Sequence, residues 1–131
     1  MKINESIVLA GSGKFGHQLT NPLDCNVYLL DLEDGSYALI DAGCGIQPER
    51  IVSQCERMGI PMDRVTSLLI THAHADHAAG AAYFHNTYGI QVIAGCKTAE
   101  WLSTGDVEKT SVRAAKEAGV YPADFHYPAC P

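Results

Sequence analysis

The chain has no long apolar run. Nowhere among its 131 residues do about 18 apolar residues stand together, the length a membrane span needs. The opening stretch, Met1 to Gly13, offers one Lys, then Asn and Glu, and only Ile7 to Ala10 as an apolar run. A secretory leader wants a longer one and a cleavage site. Positive charge is scarce too. Nine Lys and Arg face fifteen Asp and Glu, for a net charge of −6. Without a basic stripe, a nucleic-acid or anionic-membrane partner loses its electrostatic footprint. Closely spaced cysteines are also missing. Cys25, Cys44, Cys55, Cys96 and Cys130 are odd in number and scattered, which argues against a disulfide framework and against a C-x-x-C knuckle. They read as small buried hydrophobes of a reducing compartment, with Cys44 in its glycine-rich setting the one to watch. No repeat or low-complexity tract is visible. The expectation is a soluble, cytoplasmic protein.

What is present is an ordinary globular balance, 47% apolar and 18% charged, in a length that suits one domain. Strand signals dominate the first half. Ser6–Leu9 is a short apolar run. Asn26–Leu32 and Tyr37–Ile40 flank Glu33-Asp34-Gly35-Ser36, a hairpin signal. A helix is predicted from about Pro48 to Met58. There Ile51, Cys55 and Met58 share one face, and Gly59 suits the position after the last turn. Val65–Ile70 reads as a buried strand, 76–88 as one helix closed by Gly89, and Gln91–Ala94 as a strand. Two more helices are expected at 98–103 and 107–118, the second carrying an Arg113–Glu117 pair. Strands alternating with helices imply a layered α/β domain.

The informative stretch is Thr71-His72-Ala73-His74-Ala75-Asp76-His77. Four candidate metal ligands, His72, His74, Asp76 and His77, fall within six residues. In an extended loop His72, His74 and Asp76 alternate and project to one side, while His77 projects differently. Imidazole nitrogen and carboxylate oxygen suit Zn²⁺, with Fe, Mn or Ni as alternatives. Ala73 and Ala75 leave room for an ion. The cluster follows a buried strand and opens a helix, the place where α/β sheets commonly build sites. His17, His85 and His126 stand alone and read as surface or packing residues. Ser12 has no base and acid to place beside it, and Gly11-Ser12-Gly13-Lys14 lacks the full spacing of a phosphate loop.

At these residues the sequence resembles the H-x-H-x-D-H signature of the metallo-β-lactamase-fold hydrolases. Asn26-Val27-Tyr28-Leu29 and Leu39-Ile40-Asp41-Ala42-Gly43 agree with it, and the resemblance covers residues from about 25 to 95. It implies an αββα sandwich of two similar halves, of which residues 1–131 are the first: a mixed sheet covered by helices. It implies a binuclear centre, with His72 and His74 helping to hold one ion, Asp76 and His77 the other, and Asp41 orienting the site from behind. A turn or cap role for Asp41 is the competing reading. The family's later ligands have no counterpart here, since His85 and His126 stand outside any matching motif.

The expected chemistry is hydrolysis. Hydroxide generated at zinc (one or two ions, with iron or manganese as substitutes) attacks an ester, thioester, lactone, β-lactam or phosphoester of a small-molecule substrate. Asp76 serves as ligand and as the group that orients the nucleophile or takes its proton. Two rivals use the same ligands: a mononuclear iron enzyme of the persulfide-dioxygenase type, and an inactive metal-binding half-domain. A half-sandwich leaves one sheet face without cover, so a homo-oligomer through that face is expected.

Overall fold

The computed structural model describes residues 1–131. Five strands form one sheet in the order β1-β2-β3-β4-β5: β1 Ile7–Gly11, β2 Val27–Asp31, β3 Tyr37–Ile40, β4 Val65–Ile70 and β5 Gln91–Ala94. The first three are antiparallel neighbours, and β3-β4 and β4-β5 are parallel. Helix α1, Glu49–Arg57, makes the first crossover, followed by a 3-10 turn at Met62–Arg64. Helices α2, Ala75–Ala78, and α3, Ala81–Tyr88, make the second, and α4, Cys96–Thr104, and α5, Val112–Glu117, follow β5. No helix is long and apolar enough to cross a membrane.

Strand alternation divides the sheet into two unlike faces. The in-register row Val8–Leu29–Leu39–Leu68–Val92 lies under the helices, where Leu29, Leu39 and Leu68 join Ile51, Cys55 and Phe84 in one buried cluster. The next row, Leu9–Tyr28–Ile40–Leu69–Ile93, belongs to the other face. There Leu69, on the inner strand β4, is 39% exposed and Ile93, on the edge strand β5, 45%, although both are apolar.

Several expectations need correction. The helix expected across 76–88 breaks at Ala79–Gly80 into α2 and α3. A Cβ on Gly80 would run into the carbonyl oxygen of Ala42, so the bare backbone of Gly80 lets the loop after β3 press against the break. The helix expected from 107 starts only at Val112. Turns precede it, closed by Asp106 Oδ1, which accepts from the backbone N–H of Glu108 and Lys109 at 2.9 Å. Arg113 accordingly pairs with Glu108 at 2.6 Å rather than with Glu117. Strand β1 extends past Leu9 to Gly11 through an irregularity in register. Cys44, Cys55 and Cys130 are buried, Cys25 is partly buried and Cys96 exposed, all five free. The proline-rich tail is irregular and returns to the body: Tyr121 Oη donates to the Cys44 carbonyl at 3.1 Å, and Cys130 N–H to that of Leu102 at 2.9 Å.

Candidate metal centre

The parallel strands β3 and β4 end side by side, so the segments that leave them meet. Asp41 N–H donates to the Leu69 carbonyl at 2.8 Å, and Ala42 N–H to that of His77 at 2.7 Å. Asp41 is 4% exposed and adopts φ +64°, a left-handed conformation that a non-glycine residue holds only when its surroundings impose it. The turn aims the carboxylate at the loop after β4. Thr71 N–H donates to Oδ1 at 2.8 Å, Thr71 Oγ1–H reaches Oδ2 at 2.8 Å, and His77 Nδ1 lies 2.8 Å from Oδ2.

These bonds fix proton positions. An ionised carboxylate only accepts, so Nδ1 of His77 carries the hydrogen and Nε2 keeps its lone pair in the neutral ring. Thr71 has one hydroxyl proton, which it gives to Asp41. Its oxygen, 2.9 Å from His72 Nδ1, then accepts, and His72 also presents a bare Nε2. Asp41 thus acts on two histidines, one directly and one through Thr71. Burial pushes the Asp41 carboxyl up, but the hydrogen bonds from His77 and Thr71 outweigh it and hold the carboxyl below the usual range. The Asp41 bond raises His77 against the opposing effect of burial. His72 is lowered, first by burial and then by His77 and His74.

The three imidazoles crowd together. The His72 ring centroid lies 4.9 Å from that of His74 and 4.1 Å from that of His77. Asp76 and His77 fall in the short helix α2, which turns the His77 ring back toward His72. Asp76 Oδ2 lies 3.6 Å from His77 Nε2, with its side chain 47% exposed. His74, Asp76 and His77, with Asp41, line a cavity of about 780 Å³, whose rim includes Phe15 and Tyr121. His72 is not among its walls. Two imidazoles whose partners leave Nε2 free, with the His74 ring and the Asp76 carboxylate beside them, are chemically suited to a divalent cation. Ser12, by contrast, is buried and spent on structure, its Oγ donating to Asn26 Oδ1 at 2.7 Å.

The family model of the metallo-beta-lactamase superfamily matches residues 20–128. The chain belongs to this superfamily. Among solved structures, a metallo-β-lactamase of Cronobacter sakazakii with a "HARLDQ motif" superposes with a TM-score of 0.72 at 21% identity, over 98% of this chain and 44% of that one. A subclass B3 metallo-β-lactamase of Bradyrhizobium japonicum gives 0.57 at 26% identity, over 61% of this chain and 30% of that one. The five-stranded mixed sheet and its helices therefore form part of the metallo-β-lactamase fold, and the chain spans less than half the length of these structures. Among curated proteins none matches.

The geometry also enlists residues that the sequence reading passed over. Thr71 links Asp41 to His72. Cys25 brings its sulfur close to Asp41 and His77, the ligand atoms of the three lying within 4.8 Å of one another. The β2–β3 register carries the signal for it. Tyr28 opposes Ile40, so the residues just before β2 must lie beside those just after β3.

Proposed function

We propose that this chain carries the metal-binding edge of a metal-dependent hydrolase acting on a small-molecule ester, thioester, lactone, β-lactam or phosphoester. The observation that supports it is the Asp41 carboxylate 2.8 Å from His77 Nδ1, which leaves Nε2 bare beside the His72 ring. In this reading His72 and His74 hold one ion and Asp76 and His77 a second. Zinc suits such donors, and iron or manganese can substitute. A divalent ion here supplies Lewis acidity and draws the pKa of water from about 16 to about 7. Asp41 and Thr71 hold the imidazoles in the ligating tautomer. Asp76, half-exposed on the cavity wall, orients water and takes its proton. The five free cysteines fit a reducing, cytoplasmic setting.

Elemental analysis of the purified protein, run beside a panel of ester, thioester, lactone and phosphodiester substrates, tests this. Stoichiometric zinc with turnover supports it. Stoichiometric iron with persulfide oxidation and no hydrolysis shifts the reading to an oxygenase, and metal without turnover reduces it to a binding half-domain.

The open sheet face is the second part of the proposal. Leu69 and Ile93 are exposed there, and the fold to which the chain belongs is implied to pair two similar halves. A second copy is accordingly the cover we assign to that face, in a symmetric dimer. Sedimentation over a concentration series should show association at roughly tens of micromolar, abolished by Leu69→Lys. A clean monomer at the upper end contradicts it.

A further inference from the structure

We propose that Cys25, Asp41 and His77 form a second cation site, selective for a thiolate-seeking divalent ion such as zinc, cadmium or cobalt. It goes beyond the hydrolase reading and shares His77 with it. The three donors come from segments far apart in the chain, yet their ligand atoms all lie within 4.8 Å of one another. Bond lengths of about 2.0 to 2.3 Å to nitrogen, oxygen and sulfur bring such a set onto one ion with small side-chain adjustments. The sulfur is also uncommitted. Cys44 places its thiol 3.4 Å from Asn21 Oδ1, whereas the Cys25 thiol has no side-chain partner and faces only the Gly43 backbone N–H.

The backbone around it is held firmly. Cys25 N–H donates to the Asp76 carbonyl at 3.2 Å. Next to it, the Asp24 carboxylate accepts from Asn21 N–H at 3.1 Å and Cys44 N–H at 2.8 Å. Asp24, Asp41 and Asp76 line the same cavity as Cys25, so its surroundings carry negative charge to meet an incoming cation. On binding, the sulfur–metal bond forms as the S–H bond breaks, and the proton leaves to solvent. Thiolate and carboxylate then neutralise the dication, with His77 as the neutral donor through Nδ1, the atom that faces Asp41; the proton it holds there in the ion-free site moves through solvent to Nε2. All three side chains line the large cavity, which gives the ion its route of entry. The softness of the sulfur separates this site from the imidazole loop, whose donors are nitrogen and oxygen only. Because His77 belongs to both, an ion at Cys25 competes for a ligand of the hydrolytic centre.

Cobalt(II) alone, added to the 131-residue chain under reducing conditions, provides the probe. Thiolate ligation gives a near-ultraviolet charge-transfer band, while nitrogen and oxygen ligation gives only visible d–d absorption. The band should appear in the wild type, persist in Cys96→Ser (which removes the exposed thiol) and in His72→Ala/His74→Ala, and vanish in Cys25→Ser with circular dichroism unchanged. Visible absorption without the band in the wild type, or a band that survives Cys25→Ser, overturns the inference while leaving the hydrolase reading intact. Cobalt uptake undiminished by His72→Ala/His74→Ala, with the band present, does the reverse.

Discussion

The cluster beneath the sheet and the loop at its carboxyl edge obey different rules. Beneath the sheet Leu68, Leu39, Ile51 and Phe84 are fully buried among apolar neighbours, and stability there comes from area removed from water. At the edge, a buried carboxylate, a strained backbone and three crowded imidazoles stand together. Each would cost stability if left unpartnered; hydrogen bonding offsets that cost without making the edge a source of it. Asp41 belongs to both regions, since it ends a core strand and orients the edge. The contrast teaches that stability and metal affinity should separate under mutation.

Leu68→Ala should have the largest effect on folding, a loss of about 2 to 5 kcal/mol in urea denaturation, with metal stoichiometry unchanged in the protein that remains folded. A matching fall in metal affinity of the folded fraction would erase the contrast. Asp41→Asn should lie between the regions. It should cost about 2 kcal/mol, since a hydrogen-bonded buried charge is lost, and weaken metal binding by about 10- to 100-fold through the misoriented imidazoles. Calorimetric titration of zinc beside denaturant unfolding separates the two numbers.

The pH dependence of the metal-free protein sharpens the same point with a smaller effect. Asp41 is depressed below its ordinary 3.8, so its contribution is present above that value and is lost as the pH falls through the lowered folded pKa. His77 is raised above its ordinary 6.5, so its contribution is present below that value and is lost as the pH rises through the raised pKa. The pair should stabilise the fold most between about pH 4 and pH 6.5. Thermal unfolding across pH should show that maximum, and Asp41→Asn should flatten it. The smallest effect on stability belongs to His72→Ala/His74→Ala, within about 0.5 kcal/mol of wild type, although zinc uptake by the loop should disappear. A large destabilisation would mean that the imidazoles are core residues after all.

How much of this was legible in the sequence depended on the range of the forces involved. Strands β3, β4 and β5 have the bounds that their apolar runs and flanking turn residues predict, because alternation and punctuation are local. The break at Gly80 is not local: it answers to the Ala42 carbonyl, which no window around Gly80 contains. The shortened α5 reflects the competing claim of Asp106 on the backbone before it. In the centre, the His72–His77 stretch was visible as chemistry, and Asp41 was left between a turn role and an orienting role. The structure combines them, since the turn at Asp41 is what delivers its carboxylate to His77. Cys25 stayed hidden because its neighbours in space lie across a hairpin and a crossover.

Anomalous diffraction at the zinc edge, on crystals of the zinc-loaded protein, tests the central claim most directly. We expect anomalous peaks within bonding distance of Nε2 of His72 and of Nε2 of His77, the first shared with His74 and the second with Asp76. Fully occupied, well-ordered imidazoles with no anomalous density among them would contradict it.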